Sequence, residues 1–270
     1  MSRVAISCII GATILLGVTY WSTAEPTKIG QKAEVQVTPA DIPTPPTEIK
    51  GDDFGLGEYY FNQDEDPSGP YNLTLARYYY QRAVRSNPVP ETAWYQLGRI
   101  EFALGNFEAS KKHLHTQLEK FGDAAPQVYY GLGLTNGYQA LETNDPAHWS
   151  AAEEAFQAFI EYAPESPWPR VDLAWVYFSQ GKYEQMIPHL ETALQYNPQQ
   201  AWVLNTYGLA LLNMGDRQAA HSQFKQAEVA SQRLTVTDWA AAYTGNDPNN
   251  HAAGLQEFQQ IVATNLKLTE

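Results

Sequence analysis

The chain has a single cysteine, Cys8, and this residue lies inside an apolar run at the N-terminus. The remainder of the chain can therefore form no disulfide, and it offers neither a thiolate nucleophile nor a cysteine ligand for a metal. Attachment of a lipid to Cys8 is also disfavoured, because lipidation requires the cysteine to follow the apolar run. Disulfide scaffolds, thiol enzymes and cysteine-ligated zinc sites are excluded.

Basic clusters are equally scarce. Seventeen Lys and Arg residues stand against 30 Asp and Glu residues, which gives a formal net charge of −13, and the longest basic run is Lys111-Lys112. Proteins that bind a phosphate backbone need clustered basic side chains. We therefore expect no nucleic-acid partner, and we interpret the acidic surface mainly as a source of solubility.

Motifs that carry catalysis or hold a metal are also missing. The sequence contains no glycine-rich phosphate loop and no nucleophile elbow, and His113 and His115 are spaced to face different sides of a helix. Residues 62–66, Asn-Gln-Asp-Glu-Asp, have the alternating oxygen ligands of a calcium loop, but Pro67 and Leu73 occupy its glycine and glutamate positions. We expect a non-catalytic protein without a cofactor or a metal site.

The N-terminus predicts export. Arg3 precedes an uncharged run over residues 4–24, which at about 1.5 Å per residue approaches the roughly 30 Å hydrocarbon core of a bilayer. Arg3 favours a cytoplasmic N-terminus, so the rest of the chain is expected outside. Tyr20 and Trp21 fit a retained anchor, whereas the small residues Ser22 to Ala24 fit a cleaved signal peptide. The chain is predicted to be a single-pass membrane protein or, after cleavage, a secreted or periplasmic one.

Residues 25–56 have a different composition from the rest of the chain. Five prolines occur between residues 26 and 46, with scattered polar residues and few large apolar ones. A segment of this kind cannot bury enough surface to fold and samples extended conformations. We predict a disordered linker between the N-terminal segment and the folded domain.

A repeat of 34 residues governs the remainder. The spacing separates three pairs of small or turn-forming residues: Ala174 and Gly208, Gly181 and Gly215, Pro164 and Pro198. Each unit divides into two amphipathic helices joined by a turn at the glycine. A lone pair of helices cannot bury its apolar face, so neighbouring pairs must stack.

The clearest unit has small and large residues in a fixed order: Leu173, Ala174, Tyr177, Gly181, Tyr183, Leu190, Ala193, Leu194 and Pro198. These residues resemble the tetratricopeptide repeat, a helix-turn-helix unit. The resemblance implies an all-α right-handed solenoid of about five helix pairs over residues 57–234. Residues 235–270 are predicted to cap it, with a final helix over 252–266. Seven extra residues in the third unit predict an insertion around 141–146.

The resemblance further implies a concave groove lined by the first helix of each pair. The candidate groove residues are Tyr95, Arg99, Phe102, Tyr130, Tyr138, Trp168, Trp175, Phe178, Trp202 and Asn205. A contiguous apolar stripe is typical of a binding surface, so we expect a scaffold that holds a peptide or protein on the extracytoplasmic side of a membrane. An envelope-complex assembly factor is an alternative, and a glycan-binding protein or enzyme that uses the stripe is another. A further alternative is that the C-terminal helix or a loop covers these side chains.

Overall fold

The computed structural model describes residues 52–61, 69–122, 126–243 and 246–270. Most of the predicted linker, the predicted anchor and the candidate calcium loop at 62–66 lie outside the described residues. Within these ranges the chain is all-α, as predicted, and it contains no strand. None of the helices in the described ranges is long and apolar enough to span a bilayer.

Ten helices form five consecutive pairs. The pairs are α1 (Asp53–Phe61) with α2 (Leu73–Ala83), α3 (Ala93–Ala103) with α4 (Phe107–Phe121), α5 (Gln127–Thr143) with α6 (Pro146–Tyr162), α7 (Trp168–Ser179) with α8 (Tyr183–Tyr196), and α9 (Ala201–Asn213) with α10 (Arg217–Ser231). A short helix α11 (Val236–Ala242), a 3₁₀ turn (Pro248–Asn250) and a long helix α12 (His251–Lys267) follow. The described residues thus contain five helix pairs and a terminal helix, where about five pairs and a terminal helix were predicted, and α1 begins at Asp53.

Glycine sets the turn within three of the pairs. Gly105, Gly181 and Gly215 have φ angles of 78°, 72° and 91°, a left-handed conformation that other residues rarely adopt. In each turn the next residue donates its backbone N–H to the carbonyl five residues earlier, as Asn106 does to Glu101 at 2.8 Å. This arrangement closes the end of the first helix, and it confirms the role predicted for the glycines.

Small residues allow the two helices of a pair to approach closely. A Cβ atom on Gly133 would lie 2.6 Å from the ring of Phe156, and one on Gly208 would lie 2.4 Å from the ring of Phe224. A Cβ atom on Gly98 would likewise lie 2.6 Å from the side chain of Leu114. The second helix therefore rests an apolar side chain directly on the backbone of the first helix.

The close approach predicts a cost for even the smallest substitution. We expect Gly133→Ala to lower the free energy of unfolding by about 1–2 kcal/mol, although alanine favours a helix, because Phe156 must move to admit the methyl group. Gly55→Ala is the matched control, since the nearest atom to its Cβ would be 3.6 Å away. Urea unfolding followed by circular dichroism measures both variants. Equal stability changes in the two would contradict the close approach.

The seven extra residues of the third pair lengthen its helices. Helices α5 and α6 have 17 residues each, against 12 and 14 in the next pair. The turn between them is compact: Asn144 adopts a left-handed conformation with φ of 54°, and the Asp145 side chain accepts a hydrogen bond from the N–H of Ala147. Pro146 then occupies the first position of α6, where it suits a helix. The predicted insertion is thus two added helical turns around a short connection.

The pairs stack so that their first helices form one row. Helix α3 contacts α5, α5 contacts α7, and α7 contacts α9, while each second helix contacts the first helices before and after it. Helix α12 packs on α10 and α9 in the position of a sixth first helix, which ends the stack. We call the row of α3, α5, α7 and α9 the inner row, and its open side is where a groove is predicted.

Candidate functional site

The predicted groove residues, all on the inner row, divide into two groups by burial. Tyr95, Arg99, Tyr130, Trp168 and Phe178 are partly exposed. Phe102, Tyr138, Trp175, Trp202 and Asn205 expose 7% of their surface or less. The first group lines the accessible surface and the second forms a floor beneath it. Contact of either group with a partner stays a prediction.

Trp175 belongs to the core. Its ring centroid lies 5.6 Å from that of Tyr138 and 5.7 Å from that of Trp149, so it fills the space between α5, α6 and α7. Gly137 faces it closely, since a Cβ there would lie 2.5 Å from the indole. Truncating Trp175 would change stability, whereas the partly exposed Phe178 can report on binding.

The second pair contributes a cation to the inner row. The guanidinium carbon of Arg99 lies 4.8 Å from the ring centroid of Phe61 and 5.7 Å from that of Tyr95. Arg99 also donates to Gln96 Oε1 at 2.9 Å, and Gln96 Nε2 donates to Glu58 Oε1 at 2.8 Å. Stacking and hydrogen bonds together hold the guanidinium in place.

The middle of the inner row contains a buried acid. The carboxylate of Asp172, which is 3% exposed, accepts a hydrogen bond from the Tyr130 hydroxyl. Burial raises the pKa of Asp172 to about 7, and the bond from Tyr130 partly opposes that rise. Burial, followed by the charge of Asp172, also raises the pKa of Tyr138 and Tyr243. Asp172 therefore lies among three tyrosine side chains.

Sequence reasoning missed Asp172, although a signal was present. It is the only acidic residue of α7, and it stands between Val171 and Leu173 in an otherwise apolar stretch. A charged residue in such a run is costly to bury unless a partner accompanies it. The partner, Tyr130, was among the predicted residues, but its 42-residue separation from Asp172 gave no sign of pairing.

Helix α11 is an addition to the repeat pattern that packs against the inner row. A capping box fixes its start, because Thr235 and Asp238 each accept a hydrogen bond from the other residue's backbone N–H. Trp239 is fully buried, with its ring centroid 5.8 Å from that of Trp202 and 5.9 Å from that of Phe258. Gly254 of α12 leaves room for this indole, since a Cβ there would lie 2.9 Å from it.

Tyr243, which directly follows α11, also contacts the inner row. The ring centroid of Tyr243 lies 6.2 Å from that of Trp168 and 6.0 Å from that of Trp202. Asp247 lies near Tyr71, which belongs to the first pair. Burial raises the pKa of Tyr71, and the negative charge of Asp247 raises it further. Residues predicted only as part of a cap thus cover some of the groove, which bears out in part the alternative that a C-terminal loop buries the stripe.

The histidines contribute packing. His113 lies with its ring centroid 5.5 Å from that of Trp94, and His189 stacks on Tyr177 at 5.8 Å. Burial lowers the pKa of both histidines. Across the described ranges, no group of three or more His, Cys, Asp or Glu side chains is placed to hold a metal ion.

Comparison with known proteins identifies the repeat. Two family models, each described as tetratricopeptide repeat, match residues 72–112 and 170–200. The chain therefore contains tetratricopeptide repeats in these segments. The second match covers the pair α7 and α8, the clearest unit in the sequence. A comparison with curated proteins returns no match.

Solved structures share the fold. A crystal structure of MamA protein superposes with a TM-score of 0.54 at 19% identity and covers 71% of this chain and 93% of that chain. MamA 41-end from Desulfovibrio magneticus RS-1 gives a TM-score of 0.54 at 16% identity, with coverages of 67% and 97%. TTC0263, a thermophilic TPR protein in Thermus thermophilus, gives 0.53 at 15% identity, with coverages of 77% and 97%. At these identities the likeness concerns the fold alone.

Proposed function

We propose that the chain is a non-catalytic interaction module that binds a peptide segment of a partner protein along its inner row. The observation that carries the proposal is the set of partly exposed aromatic and cationic side chains on the first helices of three consecutive pairs. Tyr95 and Arg99 lie on α3, Tyr130 on α5, and Trp168 and Phe178 on α7. Tyr, Trp and Arg are the side chains that most often dominate binding energy at protein interfaces.

The rigidity of the floor supports the proposal. Phe102, Tyr138 and Trp175 are buried against one another and against the second helices, so the exposed side chains above them are held in position. A groove that is already ordered loses little conformational entropy when a ligand binds. Arg99 adds a fixed cation to the row.

The location that we propose is the extracytoplasmic side of a membrane. It rests on the uncharged run at residues 4–24, preceded by Arg3, and on the proline-rich residues that follow. A retained anchor would tether the module at the membrane surface, and cleavage would release it into the space outside the cytoplasm. In either case a role in assembling an envelope complex fits the combination of a tether and a peptide-binding groove.

A capture experiment with matched variants tests both parts of the proposal. The full-length chain is cross-linked in cells and purified from detergent-solubilised membranes, and the bound protein is identified and then titrated in purified form. We expect Trp168→Ala and Phe178→Ala each to weaken its affinity about 10-fold or more, as truncation of an interface hot spot does. A partner confined to the cytoplasm would contradict the location.

Tyr196→Ala is the control variant. Tyr196 lies on α8, the second helix of its pair, and is 50% exposed. The substitution therefore removes an aromatic side chain of similar size at a position away from the inner row. We expect its affinity for the partner to equal that of the unaltered chain. If Tyr196→Ala weakens binding as much as Phe178→Ala does, the partner does not bind along the inner row.

A further inference from the structure

We infer that helix α11 with Tyr243 is an internal ligand of the inner row, and that the partner inserts a matching short helix with two aromatic side chains four residues apart. We call residues 235–243 the inserted segment. The inference rests on the proposed function for the existence of a partner, but the internal contact itself stands on the geometry of the segment.

The stack of helix pairs is complete without the inserted segment. Helix α12 packs directly on α10 and α9 in the position of a further first helix. Two polar bonds strengthen this contact, from Gln259 Nε2 to the carbonyl of Ser231 and from Asn265 Nδ2 to Asn205 Oδ1, each 2.9 Å long. The inserted segment lies between α10 and α12 in sequence and has no counterpart in the described residues of the other pairs.

The inserted segment contacts the inner row as a bound peptide would. Trp239 lies on α11 and Tyr243, four residues later, directly follows the end of the helix, and their ring centroids are 4.6 Å apart. Both rings meet Trp202, and Tyr243 also meets Trp168. Anchors one helical turn apart that enter an aromatic pocket are typical of helix-in-groove recognition.

The opposite face of the inserted segment is open. Val236 is 45% exposed, and Thr237, Asp238 and Ala241 are also exposed, so the segment is covered on one side only, by α12 and by the aromatic side chains of the inner row. Seven residues are too few for a helix to be stable without such contacts. Its position therefore depends on the two aromatic anchors, on the contact with α12 and on the capping box at Thr235.

The fit of the inserted segment leaves a polar group unsatisfied. Among the described residues, Trp239 Nε1 has no hydrogen-bond acceptor, although the side chain is fully buried. A buried donor without an acceptor weakens the state that contains it. Displacement of the segment would return the Trp239 donor to water. The internal contact is thus suited to replacement by a better ligand.

A labelled peptide of residues 235–250 tests the inference in the full-length chain. Its dissociation constant is measured by fluorescence polarisation with the unaltered chain, with Tyr243→Ala and with Val236→Ala. In the unaltered chain the tethered segment competes at high effective concentration, so the peptide should bind weakly. We expect Tyr243→Ala to bind it at least 10-fold more tightly, and Val236→Ala to match the unaltered chain.

A second variant loosens the inserted segment from its exposed end. Thr235→Ala removes the capping box without touching the core, and we expect it to tighten peptide binding several-fold. Adding Trp168→Ala to Tyr243→Ala should abolish the gain, and a peptide with both aromatic residues changed to alanine should not bind any form. The inference is overturned if the peptide binds Tyr243→Ala and the unaltered chain equally, or binds neither.

The two proposals fail in distinguishable ways. If Tyr243→Ala does not bind the peptide while Trp168→Ala still weakens binding of the captured partner, the internal-ligand inference is wrong and the proposed function stands. If the peptide binds as expected while Trp168→Ala and Phe178→Ala leave the partner's affinity unchanged, the inserted segment is an internal ligand and the proposed binding of a partner along the inner row is wrong.

Discussion

Phe156→Ala is expected to lower the free energy of unfolding by about 3–5 kcal/mol, the usual cost of truncating a fully buried aromatic side chain. Phe156 exposes none of its surface, lies on the backbone of Gly133, and meets the ring of Tyr130 edge-on at 5.7 Å. It joins α5 and α6, which make the most extensive helix contact in the described chain. Because this is the central pair, its loss interrupts the stack between the first two pairs and the last two.

Chemical denaturation followed by far-UV circular dichroism measures the change. Leu141→Ala is the control, since Leu141 lies on α5 and is 38% exposed, and we expect its effect to stay within about 0.5 kcal/mol. The double variant Gly133→Ala/Phe156→Ala adds a second check. Once Phe156 is removed, the methyl group at 133 has room, so the two changes should be strongly non-additive. Additive effects would contradict direct contact.

Recurring positions explain why the fold could be predicted from the sequence. Gly181 and Gly215 supply the positive φ at the turns of their pairs, a role that Asn144 takes in the third pair. A small residue such as Gly133 or Gly208 is needed wherever an aromatic ring lies on the backbone. Each requirement acts locally and returns every repeat, so the pattern specifies helix pairs before any long-range contact is known.

The candidate site could be predicted only in part, because the repeat does not indicate what covers its inner face. Trp175 and Phe178 both occupied groove positions, yet one is enclosed by Tyr138 and Trp149 and the other remains accessible. Equivalent positions also differ in chemistry. Asp172 corresponds to Thr206 one repeat later, so no periodic signal marked it. The inserted segment lies outside the repeats. Its contact with the inner row depends on how the chain folds back after α10, which the local sequence does not indicate.

Asp172→Asn is expected to stabilise the protein at pH 8 by about 2–4 kcal/mol relative to the unaltered chain. The carboxyl is buried, and burial raises its pKa to about 7, whereas in the unfolded chain it titrates near its ordinary value of about 4. Between these two values the folded state keeps a proton that the unfolded state has released. The folded state therefore binds more protons, and this group makes the free energy of unfolding fall as pH rises from about 4 to 7.

Asparagine removes the titration while keeping the shape and the acceptor. Its side-chain oxygen can still receive the hydrogen bond from the Tyr130 hydroxyl, so the difference between variant and unaltered chain should nearly vanish at pH 4 and reach its full size above pH 7. Unfolding in urea at pH 4, 6 and 8 measures this dependence in the variant and in the unaltered chain. A variant that is less stable than the unaltered chain at pH 8 would show that the ionised Asp172 is stabilised by a charge or donor. In that case the interactions of Asp172 with its neighbours would contribute more to the free energy of unfolding than its burial costs.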